Sequence, residues 1–111
     1  MLTKLATSNP YDIVEPTPPT LRKYGLTLDD WRAILASQDG KCGACGKVPR
    51  TKRYNIDHEH VRGFKTMDPV VKATYVRGLL CWTCNSFRLA RGSTVENLRG
   101  AADYLERYQK K

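Results

Sequence analysis

Apolar positions along the chain fall into two rhythms, and each predicts a different kind of element. Leu28, Trp31, Ile34 and Leu35 lie three, four and seven residues apart, which puts them on one face of a helix. Thr27 stands before them as an N-cap, Asp29 and Asp30 complement the positive helix end, and Leu26 with Trp31 takes the positions of a hydrophobic staple. The spacing predicts a helix of roughly ten residues ending near Ser37, with Gly40 closing the turn into Cys42. Val95, Leu98, Ala102, Leu105 and Tyr108 repeat the helical spacing behind a capping box, Ser93-Thr94-Val95-Glu96. That last helix is expected to pack on the core, although its stripe suits the seam of a homodimer equally well. Tyr54, Ile56 and the run from Tyr75 to Cys81 suit short strands instead, with Gly63 and Met67-Asp68-Pro69 in the connection between them. A short helix after Cys84 would stop at Gly92.

The first stretch has neither rhythm. Pro10, Pro16, Pro18 and Pro19 disfavour a regular helix, so residues 1–24 are expected to be an extended or disordered arm. Residues 25–111 then make one α+β domain, and no internal repeat is visible. With 41% hydrophobic residues but only 2 Trp, 6 Tyr and 2 Phe, its core must be modest, and the 4 cysteines are the natural reinforcement. No apolar run approaches the ~20 residues needed to span a bilayer, and the N-terminus lacks the apolar stretch of a signal peptide. The chain is therefore expected in the cytoplasm. In that reducing compartment metal binding is favoured over disulfides.

Charge narrows the class of partner. The formal net charge is +8, and residues 41–92 hold 11 basic groups against 3 acidic ones while the flanking segments nearly balance. A polyanion suits such a surface, because neutralising phosphates with Lys or Arg releases condensed counterions. The same segment holds all the cysteines and both histidines.

Cys42-Gly43-Ala44-Cys45 and Cys81-Trp82-Thr83-Cys84 are two C-x2-C pairs, and their four thiolates make the closed tetrahedral set of a structural zinc site. A zinc finger of two cysteines and two histidines also has to be weighed, since twelve residues separate Cys45 from His58. It fails because His58 and His60 have one residue between them, and because it strands Cys81 and Cys84. Asp57-His58-Glu59-His60 is thus left over. Its carboxylates suit Mg²⁺ or Mn²⁺, and a neutral imidazole suits proton removal from water. A solvated polar turn or a second zinc site are the plainer explanations. Since a regular strand would send Asp57 and His58 to opposite faces, joint action requires the strand to end or bend there.

Lys41-Cys42-Gly43-Ala44-Cys45, Asp57-His58-Glu59-His60, Val76-Arg77-Gly78-Leu79-Leu80-Cys81 and Cys84-Asn85 together resemble the phage recombination endonuclease VII family of HNH (His-Me finger, ββα-metal) nucleases. The likeness runs from about Leu26 to Gly92. It implies a small ββα-metal core clamped by a four-cysteine zinc knuckle, with flanking helices. It also implies cleavage of DNA to 5′-phosphate and 3′-hydroxyl ends, with a preference for branched DNA such as Holliday junctions. Carried onto this chain, it makes His58 the general base, gives Asp57 and Asn85 to Mg²⁺ or Mn²⁺, and puts His60 near the scissile phosphate. The family often places an acidic residue one turn after the asparagine, where this chain has Arg88. Arg62, Arg77, Lys65 and Arg53 are the preferred DNA phosphate contacts, among a wider set that includes Lys47, Arg50, Lys52, Lys72, Arg88 and Arg91. Two other functions fit the same residues: an HNH nickase acting on ordinary duplex in phage genome processing, and a non-catalytic zinc-knuckle module that binds nucleic acid.

Overall fold

A computed structural model describes residues 8–89 and 93–109. Among the described residues are four α-helices and a two-stranded antiparallel sheet, consistent with an α+β chain. The helices are α1 (Pro18–Lys23), α2 (Leu28–Ser37), α3 (Pro69–Ala73) and α4 (Val95–Arg107). The strands are β1 (Asn55–His58) and β2 (Val76–Leu80). A 3-10 turn, Phe64–Thr66, precedes α3, and a π-helical segment, Cys84–Arg88, follows β2.

α2 forms where its capping residues say it should. The Asp30 N–H donates to Thr27 Oγ1 at 3.0 Å and the Thr27 N–H donates to Asp30 Oδ2 at 2.9 Å, satisfying two donors that the helix itself cannot. Its inner face carries Trp31 and Leu35, both almost completely buried. They pack with Ile13, Leu21, Leu26, Ile56 and Leu79. Truncating Leu35 to Ala removes a well-packed side chain, a change worth about 2–5 kcal/mol.

Of the expected extended or disordered arm, residues 1–7 lie outside the described residues, 8–17 carry no regular element, and Pro18–Lys23 form a helix instead. Pro18 and Pro19 do not prevent α1 because they occupy its first turn, where a missing N–H costs nothing and a fixed φ helps. The helix then stops by a Schellman motif: Gly25 at φ 72° donates to Arg22 O, and the Leu26 N–H reaches back to Leu21 O at 3.0 Å. A Cβ on Gly25 would lie 2.2 Å from Pro69 O, so glycine is needed there for packing against α3 as well. Upstream, Ile13 is buried, the Val14 N–H donates to Lys52 O at 2.8 Å, and Glu15 takes Arg32 of α2 at 2.7 and 3.1 Å.

The end of α2 holds the sheet. Gln38 Nε2 donates to Leu79 O and Gln38 Oε1 accepts from the Leu79 N–H, at 2.9 and 2.8 Å, so its side chain pairs with the free edge of β2 as a strand would. Gly78 lets it approach: a Cβ there would sit 2.8 Å from Gln38 Oε1. Successive side chains on a strand point to opposite faces, and here Leu79 enters the helical core while Leu80 packs with Cys42, Cys81 and Cys84.

α4 corrects a second expectation. Its N-cap is Thr94, whose hydroxyl accepts from the Asn97 N–H at 3.0 Å, one residue later than the capping box predicts. None of its residues is buried, so it does not pack on the core. The stripe is real, but a cavity of about 800 Å³, lined by Val95 and Leu98, lies between the start of α4 and the end of α2 and β2. The short helix expected from after Cys84 to Gly92 is instead a π-helical segment that ends at Arg88 with Leu89 as its cap, while Gly92 lies outside the described residues. No described helix is long and apolar enough to cross a membrane.

Candidate functional site

Two centres stand side by side on β2. At its C-terminal end the four cysteine sulfurs lie within 4.8 Å of one another, close enough to share one metal ion. Cys42 and Cys84 are 3% and 0% exposed, so these thiols are enclosed by structure. Burial opposes ionisation of Cys42, but backbone N–H groups outweigh it and bring the thiol down to about 6. Two of those donors are Ala44 at 3.4 Å and Cys81 at 3.3 Å. Burial pushes Cys84 up to about 11 in spite of Arg88, whose Nη1 donates to its sulfur at 3.2 Å. Four sulfurs at this separation fit a tetrahedral zinc ion: Zn²⁺ would ionise the thiols, and the N–H donors would stabilise them.

The second centre lies where β1 ends. Asn55, Ile56 and Asp57 pair with Leu80, Leu79 and Gly78, but His58 pairs with Val76, leaving Arg77 as the extra residue of a β-bulge. The strand stops at His58. Asp57 is 7% exposed, and both its carboxylate oxygens accept from Arg77, from Nε at 2.8 Å and Nη2 at 3.1 Å. His58 turns to another side. Its ring stacks on Phe64 at 4.4 Å and meets Tyr24 at 5.3 Å and His60 at 4.7 Å. Burial first, and then the neighbouring His60, lower the His58 imidazole below its ordinary value of 6.5, with Asp57 pulling the other way. The ring is therefore neutral at pH 7 and able to accept a proton.

The two residues border separate cavities. Asp57 and Arg77 line one of about 800 Å³ between α2, the first cysteine pair and the start of α4. His58 lines one of about 710 Å³ with Lys23, Tyr24, Phe64, Lys65 and Lys72, and exposed His60 lines both. Asn85 lines neither; it is the second residue of the π-helical segment, and its N–H donates to Cys81 O at 2.9 Å. Among the expected phosphate contacts, Lys65 stands in the His58 cavity and Arg77 is held by Asp57, whereas Arg53 lines a separate cavity with Trp82. Arg62 is exposed and lines none of these. The pattern of the sequence missed Lys23, Tyr24 and Phe64 beside His58. Gly25, a helix stop directly after Lys23-Tyr24, was the signal that could have found the first two.

A family model described as recombination endonuclease VII matches residues 19–107, from α1 through both centres to the end of α4. The chain belongs to this family. Among curated proteins, Gene 59 protein of Mycobacterium phage D29 is 35% identical over 89 residues, covering 78% of this chain and 47% of that protein. Gene 59 protein of Mycobacterium phage L5 is 33% identical over 87 residues, covering 77% and 46%. The chain thus spans about half the length of these two relatives. No solved structure matches it.

As an endonuclease VII family member, the chain is expected to hold a catalytic divalent cation, and the donors do not fit one as they stand. Both oxygens of Asp57 are engaged by Arg77, and Asn85 shares neither cavity with it. Among the described residues the only group of three or more His, Cys, Asp or Glu placed to share an ion is the cysteine cluster.

Proposed function

We propose that the chain carries the cleavage centre of a DNA endonuclease of the endonuclease VII type, with a ββα-metal (HNH) arrangement clamped by structural zinc. The observation that carries this reading is the bulge between Asp57 and His58. With Arg77 as its extra residue, it ends the pairing of β1 at His58, so that a buried carboxylate is followed at once by an imidazole that faces the neighbouring cavity. His58 acts as general base, taking a proton from water, because burial keeps its ring uncharged at neutral pH. His60, on the border of both cavities, faces the phosphate being attacked. Arg77, once it yields Asp57, is free to meet a DNA phosphate, and Lys65, Arg62 and Arg53 add backbone contacts. Mg²⁺ or Mn²⁺ is the expected cofactor through Asp57 and Asn85, and binding it requires Arg77 to yield Asp57.

The favoured substrate is branched DNA, the setting is the cytoplasm of a phage-infected host, and a homodimer through α4 matches a symmetric branched substrate. The held Asp57 favours a second reading, a zinc-stapled module that binds nucleic acid without cutting it. One experiment decides: a labelled four-way junction and its matched linear duplex are incubated with wild type and His58→Ala, with Mg²⁺ and with EDTA. Mg²⁺-dependent cutting of the junction alone, lost in the variant with zinc content retained, is the expected result. Equal cutting of both DNAs would replace the junction enzyme by a nickase on ordinary duplex. Binding without cutting under any divalent metal would leave the module.

A further inference from the structure

We infer that the cavity beside His58 receives one unstacked nucleotide of the bound DNA, its base against Tyr24 and its flanking phosphates on Lys23, Lys65 and Lys72. This rests on the nuclease reading for the identity of the polymer, and otherwise on the cavity itself. At about 710 Å³ it lies within the size range of small-ligand sites. Three elements bring lysines to it, the end of α1, the 3-10 turn and α3. No carboxylate lines it, and among the described residues none of the three lysines is ion-paired. An excess of cations facing a concave surface calls for an anionic occupant.

The floor is aromatic. Phe64 is nearly buried, with His58 stacked on it, while Tyr24 is half-buried and stands tilted at 57° to His58. Lys72 Nζ lies 5.6 Å from the Phe64 ring centre and Lys23 Nζ 5.9 Å from that of Tyr24, so the charges rest on the floor they border. A purely cationic patch would read a phosphate, and a purely aromatic one would be an extension of the core. Cations around an exposed ring in a cleft are what unpaired nucleotides use, through stacking and backbone contact together. On the cavity rim Gly63 has nothing within 4 Å of where a Cβ would stand, which leaves room for an entering base. A base in intact duplex must leave its stack to reach Tyr24, whereas one at a branch or bulge has paid less to do so. The cavity thereby gives branched or distorted DNA a physical advantage over regular duplex.

The test uses the zinc-loaded chain without other divalent metals. Thymidine 3′,5′-bisphosphate and its abasic deoxyribose bisphosphate counterpart are titrated while the His58 and Tyr24 ring signals are followed by NMR. Expected is saturable binding that moves both rings, with the nucleotide tighter than the abasic compound by at least about fivefold, as stacking of one base predicts. Lys23→Gln combined with Lys72→Gln, which removes two charges and keeps polar side chains beside Tyr24 and Phe64, weakens both ligands. Tyr24→Leu brings the two affinities together. Equal affinity of the two compounds for wild type, or shifts that spare His58 and Tyr24, would overturn the inference. On DNA, a duplex with one unpaired thymidine should bind more tightly than the fully paired duplex, and the double lysine variant should lower the affinity for both. Equal affinity of wild type for these duplexes counts equally against it. No cutting is needed for either result. A chain that passes yet cleaves nothing refutes the nuclease reading alone, and one that cleaves through His58 without this discrimination refutes the nucleotide pocket alone.

Discussion

Replacing Arg77 by Ala leaves the Asp57 carboxylate without the partner that takes both its oxygens. The Asp57 side chain is 9% exposed and that of Arg77 54%, so the pair is neither fully buried nor a surface contact. Removing one partner of a fully buried pair costs about 3–5 kcal/mol, and exposed pairs are worth about 0.2–1 kcal/mol. With the cation half in water, Arg77→Ala should lose about 1.5–2.5 kcal/mol. Its coupling to Asp57→Asn in a double-mutant cycle should be about 1–2 kcal/mol. Urea unfolding of the zinc-loaded protein, followed by fluorescence with Trp31 almost wholly buried, measures both. A coupling below about 0.3 kcal/mol would refute the claim that the pair holds Asp57 in place. The same proteins test the cation. A divalent ion at ten times its Kd stabilises the state it binds by about 1.4 kcal/mol. If Asp57 is a ligand, Mg²⁺ should stabilise Arg77→Ala more than wild type and leave Asp57→Asn unchanged. An equal response in all three would remove Asp57 from the cation site.

Zinc removal should act on the whole fold: one zinc per chain by metal analysis is expected, with loss of cooperative melting on chelation and in Cys84→Ser, while an unchanged melt after complete metal removal would contradict a structural role. His58 gives a pH dependence of definite sign. Its folded value lies below 6.5, so the unfolded chain binds more protons in that window, and stability should be full above 6.5 and fall as pH drops toward the folded value. His58→Gln should flatten this slope in urea titrations at several pH values, and an unchanged slope would discount it. Truncation before residue 93 should shift stability by less than about 0.5 kcal/mol, since no residue of α4 is buried; a loss above about 1 kcal/mol would show that its stripe has a partner within the fold.

The parts legible in the sequence were those whose signals are local. α2 announced itself through Thr27, Asp30 and the staple, and the cysteine cluster through spacing alone. α1 was hidden because Ile13 and Leu21 are isolated apolar residues that gain meaning only when folded against Trp31, and because prolines read as breakers stand in a first turn that accepts them. Lys23 and Tyr24 were lost from the site with it. For α4 the period gave the element but not its environment, since helical spacing says which residues share a face and nothing about what covers them. The bulge had a trace in the sequence only as a conflict: Asp57 and His58 could not act together on a straight strand. That the extra residue is Arg77, and that it is the partner of Asp57, depends on long-range pairing that spacing does not encode.

β2 ties these features into one unit. Over five consecutive positions Arg77 holds Asp57, Gly78 admits Gln38, Leu79 fills the core, Leu80 packs on the cysteine cluster and Cys81 joins it. Moving the register by one residue would put Leu79 on the cysteine side and Leu80 into the helical core, so the mismatch is absorbed at the start of the run, where Arg77 is the extra residue opposite Asp57 and His58. The far edge of the same run is pinned from the metal side, by the Gly43 N–H on Leu79 O at 2.9 Å and by the Cys81 N–H on Cys42 Sγ at 3.3 Å. Loosening the cysteines therefore frees the edge that fixes Gly78 and Leu79, and with it the bulge that separates Asp57 from His58. A metal site with no side chain in either cavity's chemistry can thus govern the geometry of both.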